Sequence, residues 1–245
     1  MATGVLPLLI GKGTLCSKYL INHDKIYKVQ LTLGIKTDTA DGEGKILEKR
    51  EIPKEILQKE KIEKVLNSFL GKQKQIPPIY SAIKVNGKKL YEYARKGQTI
   101  EIASREIEIY KIELIKIIEN KNKIEFQVHC SKGTYIRSLC EDIATKLNTI
   151  GFMSELERIQ VGNFSIKQAI QIEQLQKDNI PYISIEELFK NKKPISVEEQ
   201  RLHHFLNGVK LTTKTKDGIY RIYSNQKFIG IGVVQNELLK RDIIL

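Results

Sequence analysis

Apolar and polar residues alternate without a break from Lys123 to Cys130. Ile124, Phe126, Val128 and Cys130 face one way, and Lys123, Glu125, Gln127 and His129 the other. A period of two over that length predicts a strand with one buried face. The stretch 105–118 predicts its partner, and "YKVQLTLG" (27–34) an earlier strand. "KILEKREI" (45–52) predicts a strand returning from the turn-rich "TDTADGEG" (37–44). The opening run Val5–Ile10, set among Gly4, Pro7, Gly11 and Gly13, predicts buried structure beside loops.

Twice the period lengthens to that of a helix. Over Lys54–Leu70, residues Ile62, Val65, Leu66, Phe69 and Leu70 make one apolar face, with Gly71 as the stop. After "SKG" (131–133), Ile136, Leu139, Cys140, Ile143, Ala144 and Leu147 recur at helical spacing, ended by Asn148 and Gly151. Beyond "RIQVGNF" (158–164) short helical pieces are expected to about Lys193. "GIYRIYSNQKFIGIGVV" (218–234) then predicts a β-hairpin inside a small β-domain spanning 195–245.

Composition narrows the class. Of 245 residues, 41% are hydrophobic and 29% charged, which excludes a disordered chain. The formal net charge is +12. Such an excess suits a polyanionic partner, although an AT-rich coding sequence would enrich lysine as well. The three cysteines form no CxxC pair, which points to a reducing, cytoplasmic setting. Cys130 and Cys140 fall on apolar faces and read as core. The four histidines lack zinc-ligand spacing, so no metal is expected. No apolar run reaches the roughly 18 residues of a membrane span, and no signal peptide is visible.

Candidate chemistry concentrates in two places. Between residues 72 and 97 lie Lys72, Lys74, Lys84, Lys88, Lys89, Arg95 and Lys96 against the single acid Glu92, with Tyr80, Tyr91 and Tyr93 interleaved. Cations for phosphates and aromatic faces for bases are the means by which proteins grip RNA. Arg137 borders the apolar stripe of its helix, where a permanent charge needs an anionic partner. Spacing alone leaves it a snorkelling or ion-paired residue. Tyr27 at a strand start reads as packing, and Asp38 and Asp41 as turn residues.

Five stretches together resemble the TruB family of tRNA pseudouridine synthases: "MATGVLP", "DKIYKVQLTLGIKTDTADGEG", "IPPIYSAIKVNGKKLYEYARKG", "HCSKGTYIRSL" and "ELERIQVGNF". They cover nearly the whole chain in the family's order. The resemblance implies an α+β fold, with a mixed, mainly antiparallel sheet, flanking helices and a small C-terminal PUA-like β-domain. It implies a catalytic domain over 1–180 with an RNA-gripping insertion at 72–97. The activity it implies is isomerisation of the T-loop uridine of tRNA to pseudouridine, by a monomer without cofactor or metal.

By the same resemblance Tyr27 stacks on the flipped base and Arg137 pairs with the catalytic carboxylate. Tyr135 and Leu156 wall the pocket, and Lys84, Lys88, Lys89, Tyr91, Arg95 and Lys132 contact RNA. The family's nucleophilic aspartate lies in a "GxLDP" stretch that runs directly into "MATG" or "LATG". The expectation is therefore that the nucleophile lies upstream of Met1, leaving Arg137 unpaired in this chain. The alternative is an inactive RNA-binding remnant or tRNA-folding chaperone. Leu15, where the family usually has lysine, and Glu157, where it is often basic, depart from the pattern.

Overall fold

A computed structural model describes residues 2–175 and 181–245. The fold is α+β, with a mixed, mainly antiparallel sheet, flanking helices and a separate C-terminal sheet. The chain divides into two units, one of residues 1–7 and 22–169, the other of 8–21 and 170–245. The sequence pattern placed the second domain at 195–245 alone and did not group 8–21 with it. The expected domain end at 180 lies outside the described residues.

The first unit contains β1 (Ala2–Gly4), β2 (Lys25–Leu33), β3 (Ile35–Thr37), β4 (Ile46–Lys49), β5 (Gly71–Gln75), β6 (Lys84–Val85), β7 (Lys88–Lys89), β8 (Arg105–Ile118), β9 (Lys123–Cys130), β10 (Gly151–Val161) and β11 (Phe164–Ser165). The main sheet runs β1-β10-β2-β9-β8-β5, with β11 also on β10. All its pairings are antiparallel except β1 on β10. β8 and β9 keep the predicted bounds, and the predicted apolar face of β9 is buried from Ile124 to Cys130.

One face of this sheet carries the core. Val29, Leu31 and Leu33 of β2 meet Leu139, Cys140, Ile143 and Ala144 of the helix Ile136–Lys146 and Ile62 and Leu66 of the helix Lys59–Asn67. The expected helix 54–70 is in fact a 3₁₀ turn, Lys54–Leu57, followed by that shorter helix. Gln58 breaks it with extended backbone, and Leu70 is exposed. Asn148, with φ of +60°, ends the second helix as expected. Gly151 does not: it opens β10, where a Cβ would press on Ala144 and Leu31.

Two further expectations fail. β10 was not predicted as a strand, yet it is the one to which β1, β2 and β11 are all bonded. The run Val5–Ile10 is not buried as a whole. Val5 is 7% exposed, but Leu6, Leu8 and Ile10 are 65%, 71% and 75% exposed.

The second unit holds β12 (Pro194–Ser196), β13 (Leu211–Thr212), β14 (Gly218–Ser224), β15 (Lys227–Gln235) and β16 (Leu238–Ile244), in the order β12-β14-β15-β16-β13. β14 and β15 form the predicted hairpin, turning through Asn225 and Gln226 at positive φ. The segment before β2 joins this unit through Cys16 and Tyr19, which pack with Phe189, Ile231 and Ile243.

Candidate active site

Arg137 sits in the first turn of its helix, where the side chain borders the core. Its Nη1 donates to Asp41 Oδ2 at 3.1 Å and to the Thr39 carbonyl at 3.2 Å. Nη2 donates to the Tyr80 carbonyl at 2.8 Å. Arg137 is therefore not left unpaired: the carboxylate on it is Asp41, which spacing gave only a turn role. Both side chains are 22% exposed, so the pair is half-withdrawn from water.

The loop that brings Asp41 is itself fixed. Asp41 Oδ1 accepts from Thr39 Oγ1 at 2.6 Å and from the Glu43 backbone N–H at 3.1 Å. Its carbonyl accepts from Thr37 Oγ1 at 2.8 Å. Ala40, buried and at φ of +59°, accepts the Met153 N–H of β10 at 3.1 Å. Asp38 is spent inside the same loop, accepting the Lys45 N–H at 2.8 Å.

The insertion is bolted to the start of the helix. The Gln75 side chain, almost fully buried, accepts from the Tyr135 N–H at 2.8 Å and donates to the Tyr135 carbonyl at 3.0 Å. A side-chain amide here completes the hydrogen bonding of one backbone residue, as a neighbouring strand would. Ser138 Oγ donates to the Ile76 carbonyl at 2.9 Å. Tyr135 is thus the residue on which the insertion's first turn is hung.

Tyr27 lies in β2 opposite Val128 of β9 and Arg158 of β10, and packs on the core. Burial raises its phenol above the usual range, with the Arg158 guanidinium opposing that rise. Leu156, two residues before Arg158, faces Val29 across the ladder and packs on the same core. Lys132 stands exposed in the turn after β9, bonded to Asn22 Oδ1 at 2.5 Å.

Within the insertion, β6 and β7 form a hairpin through Asn86 and Gly87, both at positive φ. Such a pair of left-handed residues is what a two-residue hairpin needs. Lys84 lies directly opposite Lys89. The helix Leu90–Arg95 follows, anchored by the fully buried Leu90 and by Tyr93, whose hydroxyl donates to the Val85 carbonyl at 3.1 Å. Lys89 and Arg95 lie 5.4 and 5.2 Å from the centre of the Tyr91 ring. Of the expected RNA contacts, Lys89, Tyr91 and Arg95 are clustered, while Lys132 belongs to a different turn.

Sequence reasoning missed Asp41, Thr39, Gln75 and Arg158 as site-building residues. Each is recognised by a partner 57 or more residues away or, for Arg158, by both a neighbouring strand and a remote segment. Only the acidic "TDTAD" loop carried a local signal.

The comparisons agree with this architecture. The family model for the TruB family pseudouridylate synthase N-terminal domain matches residues 1–136, and that for the tRNA pseudouridylate synthase B C-terminal domain matches 137–191. The chain is 42% identical over 248 aligned residues to tRNA pseudouridine synthase B of Clostridium tetani, covering 98% of this chain and 84% of that protein. To the protein of that name from Clostridium perfringens it is 44% identical over 241 residues, covering 94% and 81%. Among solved structures, a chain of a Cbf5-Nop10-Gar1 complex superposes with a TM-score of 0.65 at 21% identity, over 99% of this chain and 71% of that one. That last likeness is one of fold. The chain belongs to the TruB family of pseudouridylate synthases.

Proposed function

We propose that this protein converts the T-loop uridine of tRNA to pseudouridine, with the nucleophilic aspartate that the family resemblance sets ahead of the "MATG" stretch. In that reaction the bond from C1′ to N1 of the base breaks, the base turns, and a bond from C1′ to C5 forms. The C5 proton leaves and N1 gains one. The target base must first leave the loop's stack, at a cost of a few kcal/mol unless surfaces receive it. Tyr27 offers a half-buried ring for that purpose, with Leu156 beside it on the core face. The protein acts as a cytoplasmic monomer, without metal or cofactor.

The observation that carries this reading is the held guanidinium of Arg137. Three N–H bonds fix it between the 37–41 loop and the insertion, leaving further donors for an anionic group. Asp38 accepts the Lys45 N–H, and Asp41 is held by Thr39, the Glu43 N–H and Arg137; the nucleophile's role is given to neither. The insertion supports an RNA partner. Lys84 and Lys89 face each other across the hairpin, an unfavourable like-charge pair that a phosphate relieves.

The test uses tRNA labelled with tritium at uridine C5. The chain extended by that family stretch is expected to release tritium from the T-loop uridine. Binding without release by the extended chain would overturn the assignment and favour an RNA-folding role.

A further inference from the structure

Arg158 is the residue of β10 that has Tyr27 on one side and the opening segment on the other. It faces Tyr27 across the antiparallel ladder and Gly4 across the parallel one. Its backbone carbonyl accepts the Val5 N–H at 2.8 Å, and its side chain returns to donate from Nε to the Val5 carbonyl at 2.8 Å. As directly opposed residues, Arg158 and Tyr27 carry their side chains next to each other on one face of the sheet. Gly4 lies flat on this residue at φ of +109°, so close that a Cβ would collide with the Arg158 backbone. A β-bulge between Arg158 and Gln160 follows at once and shifts the register, which resumes with Gln160 opposite Ile26.

A guanidinium half-buried on a core face must find oxygens, or its desolvation is uncompensated. Here its Nε finds the Val5 carbonyl of the opening segment, while β2 sets the Tyr27 ring beside it across the ladder. Because the fork is planar, fixing it on the Val5 carbonyl also fixes how its charge lies beside the Tyr27 side chain.

We propose that Arg158 is a positioning residue that holds the Tyr27 ring and the Ala2–Val5 segment as one piece. Its importance for catalysis rests on the reading given above, in which Tyr27 receives the base and the nucleophile directly precedes this segment. Arg158 then sets the distance between the stacking surface and the attacking carboxylate without touching substrate.

Two measurements on the 245-residue chain test the geometry alone. In Arg158→Met the Val5 amide should exchange with solvent roughly tenfold faster, as expected for losing one hydrogen bond to a charged group. The Tyr27 phenol should ionise at higher pH, since burial raises it and the Arg158 guanidinium opposes that rise. Arg158→Lys should keep the phenol close to its native value while Val5 still exchanges fast, because Lys retains the charge and lacks the fork. Unchanged Val5 exchange in a folded Arg158→Met, or in Arg158→Lys should the Met variant not fold, overturns the proposal.

In the extended, active chain, Arg158→Lys should lose roughly tenfold or more in kcat with KM within about twofold. An equal rise in KM alone would assign Arg158 to RNA binding and overturn the positioning role. If the extended wild type is inactive, the proposed function fails, and the exchange and titration results still decide the geometry.

Discussion

Arg137 and Asp41 show how a charge at the edge of a core is made tolerable. The carboxylate neutralises it and two carbonyls take two more of its five N–H groups, so much of the desolvation is compensated. Asp41→Asn should therefore destabilise the first unit by about 1–3 kcal/mol, below the ~3–5 of a fully buried pair because both groups keep some water. Urea denaturation followed by circular dichroism measures this. In the extended chain, Arg137→Lys should reduce turnover by roughly a hundredfold or more, since an ammonium cannot reproduce the planar fork. Tritium release at saturating tRNA is the assay, and near-native turnover would remove Arg137 from the chemistry.

The cysteines give a second prediction at this scale. Burial pushes the Cys130 thiol up to about 11 and raises Cys16 and Cys140 as well. A folded-state value above the unfolded one, near 8.5, means that the unfolded chain loses protons first as the pH rises. The thiols' contribution to stability is thus fully present below about pH 8.5 and declines from there towards pH 11. Urea midpoints at pH 7, 9 and 10 should fall in that order, and Cys130→Ala should flatten the decline. Native chain at pH 8 should resist iodoacetamide until denatured.

At the scale of elements, close approach of backbones decides more than side-chain preference. Gly4→Ala should cost about 1–3 kcal/mol and free the β1 amides for exchange, because its Cβ would overlap the Arg158 carbonyl and its φ suits glycine alone. β9 and the helix Ile136–Lys146 were legible in the sequence because each buries one face with an unbroken period. β8 was legible despite shifts between Ile109 and Lys111 and between Leu114 and Lys116, through fourteen residues rich in β-branched isoleucine. β10 was not. Bulges between Met153 and Glu155 and between Arg158 and Gln160 shift the phase of alternation twice in eleven residues, so no period survives. The site followed the same rule: the resemblance pointed to Arg137 and Tyr27, but not to the partners folding brings to them. A contact such as Arg137 with Asp41, 96 positions apart, leaves no trace in local spacing.

Across the whole molecule the net charge of +12 acts as a sum, while the insertion gives it direction. Replacing Lys88, Lys89 and Arg95 together by Ala should weaken tRNA binding. It should also reduce the slope of log affinity against log salt by up to about three, if each neutralises one phosphate. An unchanged slope in a filter-binding titration would remove the insertion from the interface.

The parallel pairing of Ala2–Gly4 with Leu156–Arg158 also sets an order of events during synthesis. Residues 2–4 leave the ribosome early, but the strand they pair with is not made until more than 150 residues later. At about 5–20 residues per second that delay is roughly 8–30 s. Throughout it β2 lacks its β10 neighbour as well, so Tyr27 and the opening segment wait for the same strand. The join between β1 and β2 is therefore completed only once Arg158 has emerged, and a nascent chain stalled before that residue holds both strands without the one that links them.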